Sequence, residues 1–166
     1  MSTADAVARE AAWLQVSADS LPALLASAGG PWQVVQAYWP GPKFAAGKSG
    51  IYVQRRRFQV ERFGGVRLMP HHAFLLKLVW PVKATAAGIA ETEAQNFDSA
   101  IELLRQRVNG LPFDKTHGGR FRSAAETPPG TFFEVDYDDP EVTIPQGKWL
   151  RATATYLADD PEIIPA

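Results

Sequence analysis

Three groups of side chains in this sequence have the types and spacing that chemistry would require. The first is Gly47-Lys48-Ser49. A lysine and a hydroxyl following a glycine are the groups that hold phosphates and magnesium in a phosphate loop. That loop needs four residues between its two glycines, and Gly41 lies one residue too far upstream of Gly47. It must also open a helix whose N-terminal amides face the phosphate, whereas a strand pattern begins at Ile51. The stretch therefore reads as a flexible basic loop.

The second group is His71, His72 and His117, the only histidines. Adjacent histidines in an extended segment point to opposite faces, so His71 and His72 do not converge on one ion. His117 sits in a glycine-rich loop and reaches them only through the fold, so the three read as polar residues near strand ends. The third group is Asp136, Asp138 and Asp139 around Tyr137. Clustered carboxylates suit calcium or magnesium, but the calcium-loop pattern is missing, and Asp-Asp-Pro is a turn sequence. No serine occupies a Gly-x-Ser-x-Gly setting, and no carboxylate pair suggests glycosidase chemistry. A metal-dependent hydrolase would have to be assembled from His71, His72, His117 and Asp136. The expectation is a protein that is not an enzyme, with no catalytic residue, cofactor or metal.

The frame around these residues is ordinary. Of 166 residues, 46% are hydrophobic, 21% charged and 11% aromatic, with 17 basic residues against 18 acidic ones. That composition describes one globular domain and argues against disorder. The absence of cysteine excludes disulfides and zinc–thiolate sites. The longest apolar run, Ala73 to Val82, is broken by Lys77 and falls far short of the roughly 20 residues of a membrane span. Met-Ser-Thr-Ala-Asp has no basic region ahead of an apolar core, so no signal peptide is expected.

The charge is unevenly spread. Between Lys43 and Arg67 stand Lys43, Lys48, Arg55, Arg56, Arg57, Arg62 and Arg67 against Glu61 alone. From Glu126 to the end, nine acids (among them Glu134, Asp136, Asp138, Asp139 and Glu141) face only Lys148 and Arg151. Opposite charges separated in this way make a chain self-complementary, one copy's basic surface meeting the acidic surface of the next. Alternatively the two regions pair within one subunit, or the basic segment 43–67 contacts nucleic acid through phosphates, with Tyr52 and Phe58 as stacking platforms.

Periodicity supplies the elements that position these groups. Residues up to about 19 read as a helix with Ser2 or Thr3 as N-cap. A short helix is predicted from Ser20 to Ala28, stopped by Gly29-Gly30-Pro31. Trp32 to Trp39 reads as a strand. Gly50 to Phe63 is extended, as one strand or as a hairpin bent near Arg55-Arg56. Phe74 to Val82 is the clearest strand, with Phe74, Leu76, Leu78 and Trp80 on one apolar face. A capping box at Thr92-Glu93-Ala94-Gln95 opens a helix with the stripe Phe97, Ala100, Ile101, Leu104 and Val108, closed at Asn109-Gly110. Thr131 to Tyr137, Val142 to Ile144 and Trp149 to Leu157 read as strands. The fold class is α+β: a mostly antiparallel β-sheet packed by an N-terminal helix and one central amphipathic helix. Residues 1–157 form a single domain, followed by an acidic, proline-containing tail over 158–166.

This order of elements resembles the tail-terminator (tail-completion or neck) proteins of long-tailed bacteriophages. The resemblance is carried by the opening helix, the loop-bearing β region and the apolar strand His72-Ala-Phe-Leu-Leu-Lys-Leu-Val-Trp-Pro81. It is also carried by the helix Asn96-Phe-Asp-Ser-Ala-Ile-Glu-Leu-Leu-Arg105 and the strand Lys148-Trp-Leu-Arg-Ala-Thr-Ala-Thr-Tyr-Leu157. It implies a virion structural protein, assembled in the host cytoplasm, that forms a homohexameric ring. Such a ring caps the tail tube, joins it to head-closure or connector proteins and passes DNA through its channel. Similar folds serve as tail-tube and head-closure proteins. Carried onto this chain, the resemblance puts Arg55, Arg56, Arg57, Arg62 and Arg67 at a subunit contact or the channel lining. The opposing acidic contact is then Asp136, Asp138, Asp139 and Glu141.

Overall fold

A computed structural model describes residues 5–16, 20–45, 47–65, 67–83, 88–110, 113–126 and 133–160. Its centre is strand β3 (Arg67–Pro81), whose alternating pattern makes it the pairing partner for both long neighbours. Strand β2 (Gly50–Phe63) and strand β6 (Trp149–Asp159) flank it antiparallel. Strand β1 (Val34–Ala37) extends the sheet beyond β2 as its parallel pair. Strands β4 (Ser123–Ala124) and β5 (Glu134–Tyr137) lie end to end along the other edge of β6. The fold is α+β with a mostly antiparallel sheet, as the periodicity predicts.

One face of that sheet is the core face. Phe74, Leu76 and Leu78 of β3, with Leu150, Ala152 and Ala154 of β6, are buried there. Helix α1 (Ala6–Gln15) contributes Val7, Ala11 and Leu14 to the same core. Helix α3 (Ile89–Asn109) contributes all five residues of its predicted stripe. Removing such side chains from water, at about 25 cal/mol per Å² of apolar area, drives the packing. The opposite face is capped at one end, where helix α2 (Pro42–Ala45) brings Ala45 onto Tyr52 and Val79 beside Trp39 and Trp149.

Several elements differ from the sequence reading, each for a local reason. Residues 20–28 are extended, with only a 3-10 turn at Ala26–Ala28. Trp32 is fully buried, its amide donates to the Leu24 carbonyl, and Leu25 bridges to it, so tertiary burial overrides helix propensity. Helix α3 starts three residues before the expected box, behind Gly88 in a left-handed conformation. Thr92 Oγ1 donates to the Gly88 carbonyl, and the Glu93 carboxylate accepts from the Trp80 indole N–H at 2.7 Å. Val142 to Ile144 belong not to a strand but to helix α4 (Pro140–Gly147). The Asp139 carboxylate accepts from the Glu141 amide at 2.9 Å, and Pro140 takes the first helical position.

Strand β6 runs two residues past its predicted end, and Asp160 is buried, so the tail begins later than 158. Residues 161–166, like Ser2, Thr3 and the 131–132 part of the predicted strand, lie outside the described residues.

Candidate functional site

Gly50–Phe63 is one strand, and its interruption is a bulge between Arg55 and Arg57. Register then decides which way the arginines point. Arg55 pairs with Phe74 on the core face, whereas Arg57 pairs with Ala73 on the other. Arg55 and Arg57, which unbroken alternation would set on one face, are therefore on opposite faces. Beyond the bulge Phe58, Val60 and Arg62 pair with His72, Pro70 and Leu68 and share the Arg55 side. The Arg55 guanidinium lies 4.9 Å over the Phe58 ring.

Strand β6 pairs with β3 only from His71 onward. The pairs Val60–Pro70, Glu61–Met69, Arg62–Leu68 and Phe63–Arg67 therefore overhang the sheet as a β-hairpin arm. At 3.3 Å per residue the overhang is about 13 Å. Arg62 and Arg67 are exposed on this arm, and Arg56 and Arg57 at its root on β2. So are two large apolar side chains, Phe58 at 40% and Val60 at 46%.

The acidic residues gather at the diagonally opposite corner, where β5 turns into α4. Asp136 pairs with Thr153, and Asp138 stands 3.3 Å from Arg151. Asp139 caps α4. With Glu141 all four are exposed, beside Tyr137 at 53% and Val142 at 49%. The carboxylates serve different partners and do not converge on one point. The Tyr137 hydroxyl donates to Asp98 at 2.6 Å, and burial together with that carboxylate pushes its pKa up.

Other members of the two charge blocks pair inside the subunit. Asp160 is held by Arg9 at 2.7 and 3.0 Å and by His72 at 2.7 Å. Burial raises its carboxyl pKa, but the His72 and Arg9 contacts outweigh this and the net direction is down. Glu126 lies 3.9 Å from Lys115. Lys43 lies in α2 and Lys48 in the turn entering β2, at the end of the sheet away from the arm. Ser49 is buried, its hydroxyl donating to the Pro31 carbonyl, and β2 follows directly at Gly50.

The histidines take three separate positions. His71 and His72 point to opposite faces, as their adjacency predicts. His71 lies at the root of the arm, between Asp159 at 2.6 Å and Glu61 at 3.2 Å. Two open grooves, about 580 and 470 Å³, meet there. Burial lowers the pKa of the ring, but hydrogen bonds and charge from Asp159 and Glu61 outweigh it, so the net shift is upward.

A histidine whose pKa rises on folding contributes stability fully below its unfolded value of about 6.5, and loses it as pH climbs through the folded value. His71→Gln should therefore lower the melting temperature more at about pH 5.5 than at about pH 9. Equal losses at both pH values would contradict this assignment.

His117 was not legible as what it is. It is completely buried with Glu10, 2.9 Å from that carboxylate, and its other ring nitrogen lies 3.0 Å from the Val108 carbonyl. The Tyr156 hydroxyl also donates to Glu10. Trp13 stacks on His117 with centroids 3.7 Å apart, and Arg107 lies 4.5 Å from the Trp13 ring. Arg107 donates to the carbonyls of Trp13 and Val16, closing the C-terminus of α1. This network anchors α1 to the sheet. Among the described residues, no group of three or more His, Cys, Asp or Glu side chains is placed to hold a metal ion, and no helix is long and apolar enough to cross a membrane.

No protein-family model matches the chain, and no curated protein matches it. Its functional reading rests on the arm, the acidic corner and the order of elements.

Proposed function

We propose that this chain is a structural subunit of a long-tailed bacteriophage virion, a tail terminator that closes into a hexameric ring. The ring caps the tail tube and offers the surface on which head-closure or connector proteins dock. The observation that carries the reading is the placement of an arginine-rich arm and an acidic corner at opposite ends of one sheet. Arg62 pairs with Leu68, and Asp138 lies beside Arg151, which pairs with Val79. The eleven residue steps of β3 from Leu68 to Val79 separate the two by about 36 Å along the strands, at 3.3 Å per residue. Three strand spacings add roughly 14 Å across the sheet.

An arm cannot reach the corner of its own subunit over that distance. A contact between two different patches is heterologous, and repeated around an axis it closes a ring. The element order that resembles tail-terminator proteins supplies the phage context, with DNA passing through the channel as a transient, sequence-independent partner. Related tail-tube or head-closure roles would use the same contact.

A second reading has one observation of its own. Arg56, Arg57 and Arg62 are exposed beside Phe58, an arrangement that suits the phosphates and bases of a single strand. Electron microscopy of the purified chain at high concentration separates the two. The ring reading expects annular particles with a central opening. Dispersed monomers that bind DNA in low salt, and lose it when Arg55, Arg56 and Arg57 become alanine, would favour the second.

A further inference from the structure

Exposed apolar side chains sit at both charged corners. On the arm, Phe58 and Val60 lie between Arg55 and Arg62 on one face, at the helix side of the sheet. At the corner, Tyr137 pairs with Ala152 on the helix side of the sheet, against Phe97 and Asp98, with Glu141 and Val142 exposed on α4, whereas Asp136 and Asp138 lie on the other side, opposite Thr153 and beside Arg151. The opposite face of the arm carries Arg57, Gln59 and Glu61. Leu157, 43% exposed, lies on that side across Ala73, and Glu61 is held to His71 there.

We infer that two copies of this chain meet through the Arg55–Phe58–Val60–Arg62 stripe of one and the β5–α4 corner of the next, with Phe58 and Val60 seated against Tyr137 and Val142. The inference rests on the reading of the chain as a self-assembling subunit and names the surface that assembly uses. Each partner then offers an aromatic and a β-branched side chain as a water-excluding centre, flanked by Arg55 and Arg62 on one copy and by Asp98 and Glu141 on the other. Arm-to-arm and corner-to-corner contacts would set like charges against each other, so the geometry selects head-to-tail pairing. It also assigns the arginines: the Arg55 and Arg62 side enters the contact, and the Arg57 side stays outside it.

The chain contains no cysteine, so single cysteines report unambiguously. Val60→Cys and Val142→Cys replace exposed side chains, and matching far-ultraviolet circular dichroism confirms that each variant is folded. The two are mixed in low salt and treated with a short bis-maleimide. Covalent dimers in the mixture, with none in either variant alone, are expected, and the Val60→Cys/Val142→Cys double variant should give a ladder. Self-linking of Val60→Cys alone would overturn the contact in favour of an arm-to-arm dimer. Association by light scattering without a mixed cross-link would overturn this contact while leaving self-assembly standing. No association under any condition would remove both. A ladder running past six would support the contact and refute the closed hexamer.

Discussion

Reversing the charge of the arm should abolish self-association without disturbing the fold. The substitution is Arg62→Glu, exposed and on the side that enters the contact. Arg55 is spared because it lies over Phe58. Like charges brought face to face cost several kcal/mol, and each 1.4 kcal/mol is tenfold in affinity, so the dissociation constant should rise by about 100-fold or more. The corner counterpart is Glu141→Lys. It leaves Asp138 on Arg151 and Asp139 on the α4 cap, so the local structure keeps its supports.

Each reversed variant should be monomeric by light scattering. Combining both reversals in one chain should restore association, because a negative arm then meets a positive corner. Exposed substitutions of this kind change stability by about 0.5 kcal/mol or less each, so the melting temperature should barely move. A doubly reversed chain that stays monomeric would count against charge pairing of these two surfaces.

Glu10→Ala should be the most destabilising single substitution described here. Glu10 has no exposed surface, and its carboxylate is the partner of both His117 and Tyr156. Removing it leaves a buried imidazole and a buried hydroxyl without their acceptor, in the part of the core where α1 meets the sheet. Breaking a buried polar pair on one side costs about 3–5 kcal/mol. For a chain of this size, about 2–4 °C per kcal/mol implies a melting temperature lower by roughly 10 °C. Glu10→Gln keeps an acceptor and should lose less. A calorimetric scan decides it, and an unchanged transition in Glu10→Ala would show that the network does not anchor α1.

The central scaffold was legible because its signal is local. Phe74, Leu76 and Leu78 alternate along β3, and the α3 stripe recurs at helical spacing, so each announces its buried face within a few residues. The helix starts earlier than Thr92-Glu93-Ala94-Gln95 suggests because Thr92 lies inside the first turn, its hydroxyl on the Gly88 carbonyl, rather than at the cap. Asp139-Pro140 carried a readable helix start, since aspartate at the N-cap and proline at the first turn suit one another. The same residues also favour a turn, which is the reading that Asp-Asp-Pro alone invites.

The site was legible as charge but not as geometry. Alternation along β2 would set Arg55 and Arg57 on one face, and a one-residue bulge sets them on opposite faces. Glu10, His117 and Tyr156 gave no signal at all. They are brought together across 107 and 146 positions of sequence by the docking of α1, and nothing in local periodicity encodes that.

The central claim is that copies of this chain close on one another through complementary poles. Its most direct test is the solution mass of the unmodified chain, by light scattering after size exclusion, across protein and salt concentrations. The account predicts a discrete species near six times 18.2 kDa at high protein and low salt, dissociating as screening shortens the reach of the charges. A strict monomer at every concentration, with or without tail tubes added, would contradict it.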